Sequence, residues 1–206
     1  TAPTQTAETQ AALTPGTALQ MLKDGNARFL AGTPADRDYS EQVSITSGGQ
    51  HPFAVVLSCI DSRVPAETVF DQGIGDIFSG RVAGNVVNED QLGSMEYACK
   101  VAGSKVVLVM GHTKCGAVMS ALGGADLGNI TALHSKVGPA HQARAAAGGD
   151  LEVTTELAAK VAEENVQFSI ERIRAESEIL AELERDGDII ITGAMYEVET
   201  GTVRFL

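Results

Sequence analysis

The chain has 206 residues and a formal net charge of −12, which makes a nucleic-acid polyanion an unfavourable partner. Hydrophobic residues make up 44% of the sequence, enough for a sizeable core, and no apolar run approaches the ~18 residues of a membrane span. Three cysteines in a chain of this length do not suggest a disulfide framework, and they fit thiols kept for metal binding or chemistry.

The N-terminal part of the chain predicts a tail followed by two helices. Residues 1–16 are polar and rich in Thr and Ala, which is typical of a flexible tail. The spacing of apolar residues predicts an amphipathic helix over 17–31, ended by Gly32, and we expect it to project from the domain. A second short helix is predicted over 39–47, ended by the glycine pair that follows.

Strands and helices alternate along the rest of the chain. Short apolar runs rich in β-branched residues predict strands over 53–58, 76–82, 105–110 and 188–192, and a short edge strand that ends at Leu206. Helices are predicted over 90–102, 115–122 and 154–186, and a helical excursion with loops over 125–150. This alternation favours an α/β fold in which residues 17–206 form a single domain. Its mainly parallel central sheet has four to five strands flanked by helices.

Chemically distinctive residues follow two of these strands at the points where the strands end. Cys59 follows the strand over 53–58, and His112 and Cys115 follow the strand over 105–110. Because parallel sheets place ligand sites at the carboxyl ends of their strands, these side chains converge if the two strands are neighbours. Two thiolates and an imidazole suit zinc, and three protein ligands leave the fourth position for water, as in catalytic sites.

The same residues also have simpler interpretations. Buried cysteines are common as small core residues, and a histidine after a strand is often only a satisfied polar group. Cys99 lies inside a predicted helix, so we interpret it as a core residue. Asp61 and Arg63 could form a surface ion pair of little energetic value.

Three sequence blocks occur together in this chain: 59–67 (CIDSRVPAE), 81–85 (RVAGN) and 111–116 (GHTKCG). In their order and separation they resemble the signature blocks of the β-class carbonic anhydrases, and the resemblance extends from about residue 25 to the C-terminus. It implies a carbonate dehydratase, a zinc lyase that hydrates carbon dioxide reversibly to bicarbonate and a proton by attack of zinc-bound hydroxide. It also implies one zinc per chain, with Cys59, His112 and Cys115 as ligands.

The resemblance assigns further residues. It makes Asp61 and Arg63 a catalytic dyad, in which Asp61 orients the attacking water and Arg63 holds the carboxylate. The family's substrate pocket crosses a dimer interface, and the positions that resemble its lining are Gln50, Phe78, Ala83, Gly84 and Tyr97. Ala83 stands where the family usually has a bulkier aliphatic residue. We therefore expect a homodimer or a higher even-numbered homo-oligomer, with the helix over 17–31 reaching the partner.

Single positions in the sequence bear on regulation and on proton transfer. In one subgroup of the family the aspartate closes the site. Members of that subgroup have a Trp that helps to bind regulatory bicarbonate, and at the matching position this chain has Val56. Arg81 and Tyr196 lie where other members of that pocket would be, but the pocket is incomplete, which predicts an open, water-bound site. Candidates for proton transfer, by residue type alone, are His51, His134 and His141.

Other functions stay open at this point. Some relatives hydrolyse carbonyl sulfide or carbon disulfide with the same ligands, because attack on a linear heterocumulene is alike in each case. A non-catalytic interaction module with a structural zinc is a second alternative, against which the Asp61 and Arg63 pair argues. A thioredoxin-like role lacks its Cys-x-x-Cys motif. Cysteine usage favours the cytoplasm, with the periplasm after signal-peptide cleavage as the alternative.

Overall fold

A five-stranded sheet forms the centre of the computed structural model, which describes residues 1–148 and 151–206. The strands are β1 (Ala54–Ser58), β2 (Ile77–Arg81), β3 (Val106–His112), β4 (Ile190–Tyr196) and β5 (Val203–Phe205). Their order is β2-β1-β3-β4-β5; the first four are parallel, and β5 pairs antiparallel with β4. The predicted α/β fold with a mainly parallel sheet is confirmed.

Helices cover the sheet. Those of the described residues are α1 (Ala7–Ala11), α2 (Pro15–Ala31), α3 (Tyr39–Thr46), α4 (Ala66–Val69), α5 (Glu89–Glu96), α6 (Gly116–Gly123), α7 (Gly128–His134), α8 (Gly138–Ala146), α9 (Thr155–Glu176) and α10 (Glu178–Arg185). A π-helical turn over Tyr97–Val101 extends α5. Within the described ranges, no helix is both long enough and apolar enough to span a bilayer.

Two helical predictions differ from the structure. The helix predicted over 154–186 divides at Ser177, whose side chain accepts a hydrogen bond from the Leu180 N–H and so begins α10 as its N-cap. The excursion predicted over 125–150 contains α7 and α8, and its last two positions, 149 and 150, lie outside the described residues.

The N-terminal segment is more ordered than the predicted tail over 1–16. It contains α1, and the side chain of the buried Gln10 donates to the carbonyls of Pro52 and Ala102 at 2.8 and 2.7 Å. Helix α2 packs against its own domain through the buried Ala18 and Leu22, where a projecting helix was predicted. The segment is held because the Gln10 side chain pairs with backbone groups 42 and 92 positions along the chain, which composition does not reveal.

Apolar side chains on both faces of the sheet form two core layers. Alternation along β1 sends Val55 and Leu57 into one layer and Val56 into the other. Helix α9 covers the first layer closely, because Gly111 and Gly193 carry no side chain beneath it. A Cβ atom at either glycine would lie 2.6–2.7 Å from a methyl group of Val166. This close packing places α9 against β3 and β4, and Gly111 lies one residue before the end of β3.

Candidate metal centre

Three predicted ligands meet at the carboxyl ends of the neighbouring parallel strands β1 and β3. Cys59 follows β1 directly, His112 is the last residue of β3, and Cys115 lies three residues further on. Their ligand atoms all lie within 4.8 Å of one another, and all three residues are buried. The expectation that these side chains converge is therefore met by the geometry of the sheet.

The tautomer of His112 is set by its own backbone. Its Nδ1 lies 2.8 Å from the carbonyl oxygen of Thr113, and because that oxygen can only accept, Nδ1 carries the proton and donates. The lone pair is therefore on Nε2, which is buried and has no hydrogen-bond partner within residues 1–148 and 151–206. A buried nitrogen lone pair without a partner is expected of a metal ligand whose other nitrogen donates to a carbonyl.

The two thiols of the cluster differ strongly in acidity. The hydrogen bond from Cys115 lowers the pKa of Cys59 to about 4; burial opposes this change, and contacts with His112 and with the N–H of Gly84 support it. The interaction with Cys59, together with burial, raises the pKa of Cys115. Cys59 is thus a thiolate at neutral pH. A thiolate is the form of cysteine that binds metal.

The turn that carries Cys115 is held by the sheet. The N–H of Thr113 donates to the Tyr196 carbonyl at 3.0 Å, and the Thr113 hydroxyl oxygen accepts from the N–H of Val198. Lys114 adopts the left-handed region with φ of 54°, and its ammonium pairs with Glu199. The turn ends at Cys115, which is the N-cap of α6.

Asp61 and Arg63 form a bidentate ion pair beside the three ligand residues. Arg63 Nε donates to Asp61 Oδ1 at 2.9 Å, Nη2 donates to Oδ2 at 2.7 Å, and the Arg63 N–H also donates to Oδ1. These hydrogen bonds lower the pKa of Asp61 to about 2, although partial burial opposes the change. Asp61 Oδ2 lies 3.9 Å from His112 Nε2, so the carboxylate faces the ligand cluster.

The donor set fits a zinc ion. Two sulfurs and one imidazole nitrogen match the ligand types that zinc prefers, and three protein ligands are the number found in catalytic zinc sites. The Nε2 atom of His112 and the thiolate of Cys59 each supply a lone pair within the same group of buried ligand atoms. The residues at this edge of the sheet can therefore hold one zinc ion.

The positions assigned to a substrate pocket lie in three places. Ala83 and Gly84 adjoin the cluster, because the N–H of Gly84 donates to Cys59 Sγ at 3.3 Å. Phe78 and Tyr97 form an edge-to-face pair, with ring centroids 6.2 Å apart, and line a groove of about 560 Å³. Gln50 is exposed and lines a separate hollow near Gly75. A single chain does not bring the five positions together.

Arg81 has a role that the sequence did not reveal. Its Nε donates to the carbonyl of Cys59 at 3.0 Å and its Nη2 to the carbonyl of Asp61 at 2.6 Å, so the guanidinium fixes the backbone of the ligand loop. The sequence did contain one indication of this role, because Arg81 is the last residue of β2, the strand next to β1. Without the register of the two strands, however, its partner could not be chosen.

The remaining histidines lie outside the cluster. The ring Nδ1 of His134 is 3.2 Å from the carbonyl of Ala125, and the Nε2 of the exposed His141 is 3.1 Å from the carbonyl of His134. His51 is half-buried just before β1. Their role in proton transfer stays a prediction.

The sequence is similar to those of known proteins. The family model described as carbonic anhydrase matches residues 54–203. A curated carbonic anhydrase of Mycolicibacterium smegmatis is 47% identical over 118 residues, which cover 56% of this chain and 57% of that protein. The chain therefore spans little more than half the length of that relative.

Solved structures show the same fold. The β-carbonic anhydrase CafA of Aspergillus fumigatus matches with a TM-score of 0.72 and 27% identity, over 93% of this chain and 89% of that chain. A β-carbonic anhydrase of Sordaria macrospora, described as tetrameric, matches with a TM-score of 0.69 and 22% identity, over 93% and 97% of the two chains. The second likeness concerns the fold alone.

Proposed function

The chain belongs to the β-class carbonic anhydrase family, and on this basis we propose that it converts carbon dioxide and water reversibly into bicarbonate and a proton. The proposal includes one zinc ion per chain, held by Cys59, His112 and Cys115. It is carried by one observation: three buried ligand atoms lie within 4.8 Å of one another, with a carboxylate facing them. A zinc ion held there would supply Lewis-acid activation of water at neutral pH.

Asp61 orients the attacking water. With a pKa of about 2 the carboxyl group is ionised at neutral pH, so it accepts a hydrogen bond from the water and does not donate one. This bond directs a lone pair of the water toward the electrophilic carbon of carbon dioxide. Carbon dioxide is small and uncharged, so catalysis depends on the position and ionisation of the water.

Arg63 keeps the Asp61 carboxylate in place. A planar guanidinium that donates two parallel hydrogen bonds fixes the orientation of a carboxylate as well as its charge. A carboxylate is itself a good zinc ligand, so a carboxylate freed from Arg63 would turn toward the metal and occupy the place of water. Arg63 thereby decides whether Asp61 assists the reaction or blocks it.

A second copy of the chain completes the substrate pocket in this proposal. Carbon dioxide would lie against Ala83 and Gly84, and Phe78 and Tyr97 of one copy would line the pocket of the other. Two features support a homodimer or a larger even-numbered assembly: the side chain of Tyr97 is 52% exposed, and β2 is an edge strand of the sheet. Sedimentation that finds only an active monomer would contradict it.

Replacement of the ligands tests the metal centre. We expect purified protein to contain about one zinc per chain, and His112→Ala and Cys115→Ala to lose the zinc and the hydration activity together. Cys99→Ala is the matched control, because it removes a buried thiol outside the cluster. A metal-free preparation with full stopped-flow hydration activity would overturn the proposal.

Two further measurements on the wild-type protein distinguish the alternative functions. Parallel assays with carbon dioxide and carbonyl sulfide separate a carbonic anhydrase from a hydrolase of carbonyl sulfide or carbon disulfide. X-ray absorption of the zinc protein at neutral pH tests for a fourth protein ligand, which a structural zinc module or a site closed by Asp61 would show. We expect carbon dioxide to be the preferred substrate and the fourth ligand to be water.

We also propose that the site stays open without regulation by bicarbonate. The sequence has no Trp, and Val56, which lies where the regulated subgroup has one, is fully buried in the core. Preincubation with bicarbonate should therefore leave the initial hydration rate unchanged. For the compartment we propose the cytoplasm, because none of the three cysteines forms a disulfide in the part of the chain that the structure describes. Localisation of the tagged protein tests this against the periplasm.

A further inference from the structure

Helix α9 presents a row of polar side chains to the loop that follows β2. The row consists of Asn165, Ser169 and Arg172, whose spacing of four and three residues places them on one face of the helix. Each donates to a backbone carbonyl of the loop: Asn165 Nδ2 to Gly84 at 2.8 Å, Ser169 Oγ to Asn85 at 3.3 Å, and Arg172 Nη1 to Val87 at 2.8 Å.

The loop that receives these hydrogen bonds has an unfavourable backbone. Gly84 and Asn85 are consecutive residues in the left-handed region, with φ of 70° and 43°. A residue with a Cβ atom reaches that region at a cost, so the conformation persists only where the surroundings hold it. Asn165 and Ser169 hold these two residues through their carbonyls, whereas Arg172 bonds Val87, which lies beyond the left-handed pair.

Both backbone polar groups of Gly84, the N–H and the carbonyl, form hydrogen bonds with side chains. Its N–H donates to the sulfur of Cys59 at 3.3 Å, and its carbonyl accepts from Asn165. The conformation of Gly84 therefore links the helix to a ligand of the candidate metal centre. Loss of the hydrogen bond at the carbonyl would free the Gly84 backbone to change its dihedral angles, and a change in those angles would weaken the N–H contact with the sulfur.

We infer that Asn165 is a positioning residue for the metal centre, which acts through Gly84 to hold an N–H group on the sulfur of Cys59. The inference rests on the proposed zinc site. Hydrogen bonds to ligand atoms orient them and tune the electron density that they give to the metal. Within the described residues Asn165 forms no hydrogen bond with Cys59, His112 or Cys115, and its effect passes through the backbone of Gly84.

The side chain of Asn165 is itself unusual. The residue is 1% exposed, and its Oδ1 has no hydrogen-bond partner in the described part of the chain. Burial of an amide with one end unpaired is unfavourable. An amide at this position is therefore explained by what its Nδ2 group does, which is to hold the Gly84 carbonyl.

Metal-loaded variants test the inference. In Asn165→Ala the affinity for zinc should fall by about 10- to 100-fold, as for other outer-shell partners of metal ligands. The thiolate-to-cobalt absorption of the Co²⁺ form should shift to lower energy, because the sulfur loses a hydrogen bond. Asn165→Gln, which keeps a donor, should restore both in part. The matched control is Arg172→Met, which breaks a hydrogen bond of equal length on the same helix face and should leave the Co²⁺ spectrum unchanged.

A measurement on the wild-type protein needs no variant to fold. In the protein loaded with ¹¹³Cd²⁺, the amide proton of Gly84 should show scalar coupling to the metal through the N–H···S hydrogen bond. No coupling, or a cobalt spectrum that changes as much in Arg172→Met as in Asn165→Ala, would overturn the inference alone. A wild-type protein that takes up no Zn²⁺, Co²⁺ or Cd²⁺ would overturn the proposed function as well.

Discussion

Two aspartates, Asp61 and Asp71, are each held by three hydrogen-bond donors, and they differ in where the donors come from. Asp61 takes all three from Arg63, two residues along the chain. Asp71 takes its donors from Arg28, Ala35 and Arg37, more than thirty residues away. The Asp71 side chain is 5% exposed and that of Asp61 is 15% exposed.

The same pairing chemistry therefore serves two purposes. Asp71 joins α2 and the segment before α3 to the turn after α4, so its ion pairs hold distant parts of the chain together. The Asp61 carboxylate is held by a donor residue only two positions away, and it turns Oδ2 toward His112. A local pair orients a group, whereas a long-range buried pair stabilises the fold.

The largest expected effect is on activity, at Arg63. Arg63→Ala should reduce the hydration rate by about 10²- to 10³-fold, in the range found when one preorganised polar group is removed, and should leave zinc bound. The carboxylate of Asp61 should then become the fourth ligand, visible by X-ray absorption. Arg63→Lys should restore only part of the rate, because an ammonium keeps the charge and lacks the planar fork.

The matched control for Arg63 is Arg185→Ala, which removes an exposed arginine that also pairs with a carboxylate, Glu178. It should leave the rate unchanged. If Arg63→Ala loses zinc, the residue is structural; if it keeps both zinc and full turnover, the pair has no role in the reaction. Asp61→Ala combined with Arg63→Ala should reopen the fourth position and stay slow.

The next effect is on stability, at Asp71. Asp71→Asn should lower the free energy of unfolding by about 3 kcal/mol, the lower end of the range for breaking a buried ion pair, because Arg28 is partly exposed. The rate per folded molecule should not change. Asp36→Asn, at an exposed carboxylate of the same segment, is the control. Urea unfolding that finds equal stability in the two variants would show that Asp71 is not a structural anchor.

The pH dependence of stability should separate wild type from Asp71→Asn. Burial raises the pKa of Asp71, but hydrogen bonds from Arg28, Ala35 and Arg37 outweigh it and hold the pKa below its ordinary value of 3.8. The carboxylate contribution is therefore complete above that value and is lost as the pH falls through the lower native pKa. Below pH 3.8 the free energy of unfolding should fall more steeply in wild type than in Asp71→Asn. Parallel curves would contradict this assignment.

The smallest effect is expected at Glu199, whose partner Lys114 lies in the turn between two ligands. Both side chains are largely exposed, so the pair is screened by solvent. Glu199→Gln should leave the melting temperature, the zinc content and the hydration rate unchanged. A loss of zinc would show that this exposed pair holds the left-handed turn at Lys114.

Much of the centre of the fold could be predicted from local patterns. The runs that became β1 and β3 are apolar at nearly every position, as expected of strands covered on both faces, and Cys59 and His112 stand at their ends. The break of the C-terminal helix at Ser177 and the docking of Gln10 could not be predicted. Each depends on one polar side chain that forms hydrogen bonds with particular backbone groups. The periodic spacing of apolar residues carries no information on which backbone groups these are.

By itself, the sequence determined the α/β fold and the types of ligand, because apolar periodicity sets which segments are buried and strand ends set where the polar residues lie. Only the tertiary structure decided how the ligands are aimed. The lone pair on Nε2 of His112 follows from the hydrogen bond that Nδ1 donates to one carbonyl, and the N–H on Cys59 follows from the left-handed backbone of Gly84. That backbone is held by Asn165, 81 positions away, and contacts between such distant residues exist only once the chain has folded.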